Sequence, residues 1–233
     1  AVNARRTTLA TSLPLRRWLK QDPAWAAQPM AWRAQQTWLA ALGSLNQRLS
    51  AAALAQQQGG GKTITLQDPV FIVGPWRSGT TVMHELLVAA TGCATPRTGQ
   101  CMDPNAFLLP RRGREKNNIT IARPMDGLAI SGDSPQEDEF ALLALGVDSA
   151  YRAFWMPRRL AALTHTLDPQ YWLAHPQWIE PWERFLRGVL LQAGAAAPQP
   201  LILKSPNHSF RIASILQRFP NARCFGLAGT ARC

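Results

Sequence analysis

Val70-Phe71-Ile72-Val73-Gly74-Pro75-Trp76-Arg77-Ser78-Gly79-Thr80-Thr81 is the stretch on which the reading of this chain turns. Four apolar residues predict a buried strand, and the run Thr80 to Leu87 predicts the helix that follows it. Between them Gly74 and Gly79 bracket four residues, the spacing of a loop that turns backbone N–H groups inward around a phosphate. The helix start adds roughly half a positive charge from its aligned peptide dipoles, so an anion belongs there. A nucleotide triphosphatase would place a lysine after the second glycine, with the next hydroxyl on magnesium. Thr80 occupies that position here, and the cation, Arg77, lies inside the loop.

Arg77-Ser78-Gly79-Thr80-Thr81 resembles the 5′-phosphosulfate loop of the sulfotransferases that use 3′-phosphoadenosine-5′-phosphosulfate. A second stretch, Leu201-Ile202-Leu203-Lys204-Ser205-Pro206-Asn207-His208, is similar to the Lys-Ser-Pro-x-His segment of the same family. Thr95-Pro96-Arg97-Thr98 and Ser134-Pro135-Gln136-Glu137-Asp138-Glu139-Phe140 resemble stretches of its bacterial members. The likeness runs from about Val70 to Arg223.

The resemblance implies an α/β, P-loop-like three-layer fold with a central parallel sheet flanked by helices. It implies 3′-phosphoadenosine-5′-phosphosulfate as donor, no metal, and a hydroxyl or amine on a small molecule or glycan as acceptor. Arg77, Ser78, Gly79, Thr80 and Thr81 would bind the donor, while Arg77 and Lys204 would stabilise charge on the leaving phosphate. His208 is the first candidate for the acceptor's base, with His84 and Glu85 as competitors. Gln100 stands where some branches carry a glutamate base, and it can orient substrate without taking a proton.

The C-terminus departs from the family. An Arg-Asp-Pro-like segment that grips the donor's 3′-phosphate is expected after the last strand, but Phe225 to Cys233 reads otherwise and Arg232 comes too late. The sequence reads as a sulfotransferase truncated at its C-terminus, whose activity that loss could abolish. Two other classes stay open: a P-loop phosphotransferase and a basic, non-catalytic nucleotide-binding remnant.

Composition frames these readings. The chain has 233 residues, 46 % hydrophobic and 17 % charged, which suits one α/β domain with helical decoration. No apolar run is long enough for a membrane span. The four scattered cysteines lack zinc spacing and fit reduced thiols in a cytoplasmic protein. Net charge is +11, which favours encounter with a polyanionic donor without specifying nucleic acid.

Residues 1–61 are expected to form a helical extension packing on the core, and residues 62–233 the α/β domain. Trp38, Leu42, Leu45 and Leu49 fall on one helical face, and Gln56 to Gly61 reads as a flexible junction. Trp18, Trp25, Trp32 and Trp38 suit helix packing, or an aromatic lid. Trp76, Trp155, Trp172 and Trp178 suit an apolar or sugar acceptor as well as a core. Pro104 to Arg123 is basic and loop-rich, able to cover a cleft. In Ser134-Pro135-Gln136-Glu137 the residue types predict a capped helix start, with the acidic trio Glu137-Asp138-Glu139 offsetting the helix dipole rather than serving catalysis or a metal.

Overall fold

The computed structural model describes Lys20 and residues 23–59, 64–109, 121–122, 129–154, 157–194 and 200–226. Its centre is a three-stranded parallel sheet: β1 (Val70–Val73) lies between β4 (Ile202–Lys204) and β5 (Arg223–Gly226). Val70 stands opposite Ile202 on one side and Arg223 on the other, and Ile72 stands opposite Lys204 and Phe225. Alternate side chains of β1 reach opposite layers, as a strand's period of two requires. Phe71 and Val73 join the main core with Trp182, Phe185, Leu186 and Leu203, while Ile72 packs with Val88 and Ile202 on the other face. Covering both faces is what permits a parallel sheet in water and what makes β1 wholly apolar.

Helix α1 (Pro23–Ala26) and the long α2 (Met30–Gly59) precede the sheet; α3 (Thr80–Thr91) and α4 (Thr98–Met102) follow β1. Then come the antiparallel pair β2 (Ile121–Ala122) and β3 (Ala129–Ile130), α5 (Glu139–Ala144), two 3₁₀ segments over Ala150–Phe154 and Pro157–Leu167, and α6 (Pro169–Ala174). Helix α7 (Ile179–Gln192) has a continuous apolar face, burying Trp182, Phe185, Leu186, Val189 and Leu190. After β4 the chain makes a 3₁₀ turn, Pro206–Phe210, before α8 (Ile212–Arg218).

Helix α2 corrects two expectations. It runs through Gly59, beyond the predicted start of the flexible junction. Its apolar stripe is not its inner face either: Trp38, Leu45 and Leu49 are exposed, whereas Ala40, Ser50 and Leu54 are buried. Small side chains let the helix axis approach its neighbours closely. Ser50 Oγ donates to the Asn105 carbonyl at 2.8 Å, and Ala40 joins Trp25, Leu143 and Tyr151 in a satellite cluster. Trp25 and Trp32 meet edge to face at 5.2 Å, the packing role anticipated for them. Trp18 and most of Pro104–Arg123 lie outside the described residues, as do Leu227 to Cys233. Among the described residues no helix is long and apolar enough to cross a membrane.

Candidate active site

The loop after β1 has the backbone that its glycines foreshadowed. Gly74 holds φ 150°, Gly79 φ 88°, and between them Arg77 takes φ 69°. Left-handed backbone costs a side-chain-bearing residue roughly 1–2 kcal/mol, so the fold holds Arg77 in a conformation it would not choose. Ser78 Oγ closes the loop by donating to the Pro75 carbonyl at 2.8 Å. Gly79 is the N-cap of α3, and no side chain among the described residues caps that helix start. A Cβ built on Gly79 would meet no described atom within 4 Å, so the loop is not packed against at that point. The first N–H groups of a helix have no intrahelical partner, and an uncapped start fits an anionic group such as a phosphate.

Lys204 ends β4, beside the strand that feeds this loop. Both therefore stand at the carboxyl edge of the sheet, where open parallel sheets bind ligands. Lys204 is buried at 4 % exposure, and its ammonium donates to Glu137 Oε1. Glu137 Oε2 accepts the Tyr151 hydroxyl at 2.5 Å, and the Tyr151 oxygen accepts the indole N–H of Trp76 at 3.2 Å. Burial and the Glu137 carboxylate push the Tyr151 hydroxyl far above its ordinary range, so it remains a donor. A hydrogen-bonded chain thus runs from the loop, through Tyr151 and Glu137, to Lys204.

The other two acids of the trio have partners on the same downstream segment. Asp138 receives His208 Nε2 at 2.9 and 3.0 Å and the Trp182 indole N–H at 2.7 Å. Burial raises the Asp138 carboxyl, but the His208 ring, Trp182 and Arg211 outweigh it and leave it below the usual carboxylate range. Glu139 takes the Arg211 guanidinium at 2.5 and 3.1 Å and the Ser149 hydroxyl. Three consecutive carboxylates therefore meet Lys204, His208 and Arg211 in order. This overturns the capping expectation: the helix begins only at Glu139, and Ser134 Oγ accepts the Ser131 N–H.

His208 is corrected with it. The sequence put this residue at the mouth of the site; the structure buries it completely, edge-on to Phe71 at 5.3 Å and against Trp182 at 5.8 Å. It holds Asp138 and turns no nitrogen to solvent. His84 is buried too, its Nε2 2.7 Å from Thr95 Oγ1. Burial, aided by the positive charge of Lys204, lowers its pKa to about 4. Gln100 is spent within the fold, accepting the Arg97 N–H at 2.8 Å and donating to Gln192 Oε1 at 2.7 Å.

Within the loop Arg77 and Gly79 are exposed, Ser78 and Thr81 half-buried, and Thr80 is buried at 5 %. Trp172 and Trp178 are core residues, with the Arg211 guanidinium 4.0 Å from the centre of the Trp172 ring. Trp76 is 48 % exposed within the loop, and Trp155 falls outside the described residues. Among the described residues no group of three His, Cys, Asp or Glu side chains is arranged to hold a metal ion. Beside the candidate site stand Glu137, which the sequence reading assigned to a helix cap, and Tyr151, which it did not single out. The signal was present as three adjacent acids matched by Lys204, His208 and Arg211 at spacings of four and three.

Comparison with known proteins finds relatives by sequence and by fold. The Omega-hydroxy-beta-dihydromenaquinone-9 sulfotransferases Stf3 of Mycobacterium bovis and Mycobacterium tuberculosis are each 35 % identical over 164 residues. The match covers 70 % of this chain but only 42 % of each relative, so the chain spans less than half their length. The crystal structure of sulfotransferase STF1 from Mycobacterium tuberculosis H37Rv shares the fold at a TM-score of 0.51 and 19 % identity, over 84 % of this chain and 54 % of that one. The model of the sulfotransferase family matches residues 69–225, from the strand before the loop to the last strand of the sheet, and the chain is a member of that family.

Proposed function

We propose that this chain carries the 5′-half of a 3′-phosphoadenosine-5′-phosphosulfate site and belongs to an enzyme that transfers a sulfuryl group to an acceptor hydroxyl or amine. The observation that carries the reading is the pairing, at one sheet edge, of an uncapped glycine loop holding Arg77 with the buried cation Lys204. The backbone N–H groups from Ser78 to Thr81, with the Thr80 and Thr81 hydroxyls, would bind the 5′-phosphate in a P-loop-like cradle. Bound there, the donor supplies an activated sulfuryl group on a phosphate leaving group. Arg77 and Lys204 stand to offset the charge that grows on that phosphate, and cations fixed beforehand need no reorganisation as it develops. His208, walled into the core, serves by holding Asp138 and the Pro206–Phe210 turn. The curated relatives point to a hydroxyl on a large apolar molecule as acceptor, and half-exposed Trp76 offers an apolar surface beside the loop. The setting we infer is cytoplasmic, without a dedicated nucleic-acid partner.

Thr80 in the triphosphatase lysine's position argues against a phosphotransferase reading. Calorimetric titration with adenosine 3′,5′-bisphosphate, in the absence of metal, separates the two. Micromolar binding is expected, lost by at least tenfold in the Arg77→Ala/Thr80→Ala variant, with no competition from magnesium-ATP. Competition by magnesium-ATP would favour phosphoryl transfer. An absence of bisphosphate binding by folded protein would overturn the donor site.

A further inference from the structure

Lys204 is not held out to an incoming anion. Its ammonium is in contact with Glu137, and both side chains are largely withdrawn from water, at 5 % and 14 % exposure. The carboxylate is anchored in turn by Tyr151, whose oxygen carries the indole N–H of the loop residue Trp76. A fixed negative charge beside an anion site works against anion binding, because charges a few ångströms apart interact strongly where water is scarce. Nothing in local helix formation calls for Glu137, since α5 starts two residues later. Removing either member of a buried pair leaves the other uncompensated, so the pair also keeps Lys204 in place while the site is empty.

We propose that Glu137 is a built-in counter-ion for Lys204, displaced when the donor's phosphate takes over the ammonium. The proposal rests on the donor site argued above and makes Glu137 a positioning residue of that site. In the free protein the carboxylate neutralises Lys204 and, through Tyr151, ties it to the loop. On binding, the ammonium shifts toward the phosphate, and Glu137 keeps the Tyr151 hydroxyl while gaining a vacant oxygen at the sheet edge. The exchange requires no bond to be made or broken beyond hydrogen bonds and ion contacts.

Glu137→Gln keeps the shape of the side chain and removes its charge. Calorimetry with adenosine 3′,5′-bisphosphate is expected to show roughly tenfold tighter binding by this variant than by the natural chain. Glu137→Asp withdraws the charge by one methylene and should fall between the two, which guards against a folding defect in either variant. In the Lys204→Met/Glu137→Gln double variant the gain should vanish, with binding weaker than in the natural chain. A purely structural role for Glu137 would weaken binding in every variant, so unchanged or weaker binding by Glu137→Gln overturns the counter-ion. Tight binding retained by the double variant would also overturn it, by removing Lys204 as the cation. If the natural chain itself does not bind the bisphosphate, the donor site fails and the proposal falls with it.

Discussion

His84 shows how burial decides what a titratable side chain can do. It lies one turn into α3 at 2 % exposure, near Lys204, and its folded pKa falls from 6.5 to about 4. Above pH 6.5 the ring is neutral in folded and unfolded chains alike, and stability is unaffected. As pH falls from 6.5 toward 4, the unfolded chain accepts a proton that the folded chain refuses, so stability declines through that window. At roughly 1.4 kcal/mol per pH unit the loss reaches about 3 kcal/mol. Urea unfolding of the natural chain and of His84→Gln across pH 4–7 should show this slope in the first and its reduction in the second. Equal slopes would mean that carboxylates alone govern the acid side. The same contrast explains how far the candidate site was legible in the sequence. Arg77 was legible because its neighbours are glycine and hydroxyl residues at fixed offsets, a local pattern that sets backbone and chemistry together. His208 was misplaced because residue type alone says nothing about Phe71 and Trp182 closing over it. Glu137 was assigned to a cap because its true partner lies 67 residues away, and no spacing rule reaches so far.

Helix α7 displays its buried face in the spacing of Trp182, Phe185, Leu186, Val189 and Leu190, since a period near 3.6 survives in sequence whatever the helix packs against. Helix α2 was found, but with the wrong side inward, because Ala40, Ser50 and Leu54 won the core over Trp38, Leu45 and Leu49. Periodicity registers side-chain size and polarity, whereas close approach of two elements rewards small residues that hydropathy barely weights. Gly188 on α7 tests that point. A Cβ there would stand 2.7 Å from Phe107 Cζ and 3.1 Å from Leu108 Cδ1. Phe107 is itself buried and fixed edge to face on Phe185 at 5.6 Å, so it has little room to yield. Replacing a mid-helix glycine by alanine ordinarily stabilises by about 1 kcal/mol. Overpacking a close contact costs typically 1–3 kcal/mol. Gly188→Ala is therefore expected to be neutral to destabilising by up to about 2 kcal/mol in chemical denaturation. A clear gain in stability would show that Phe107 and the segment around it can move aside.

The +11 net charge is a property of the chain as a whole, and its effect should appear in kinetics more than in contacts. A ligand with several negative charges is drawn through solvent by the summed field, and salt shortens the reach of that field from about 30 Å at 0.01 M to about 10 Å at 0.1 M. In the proposed site the bound ligand would sit against Arg77, Lys204 and the start of α3, where water is partly excluded and screening is weaker. Association and dissociation should therefore respond unequally. Stopped-flow measurement with adenosine 3′,5′-bisphosphate, following tryptophan fluorescence, should show the association rate constant falling several-fold between about 0.02 M and 0.3 M salt. The dissociation rate constant should change less than twofold. Trp76 is the natural reporter, being half-exposed in the loop and bonded to Tyr151. Trp76→Phe should remove most of the signal and leave the calorimetric affinity within a few-fold. An association rate indifferent to salt would mean that the chain's excess positive charge lies too far from the site to steer a ligand, and that capture belongs to the loop and Lys204 alone.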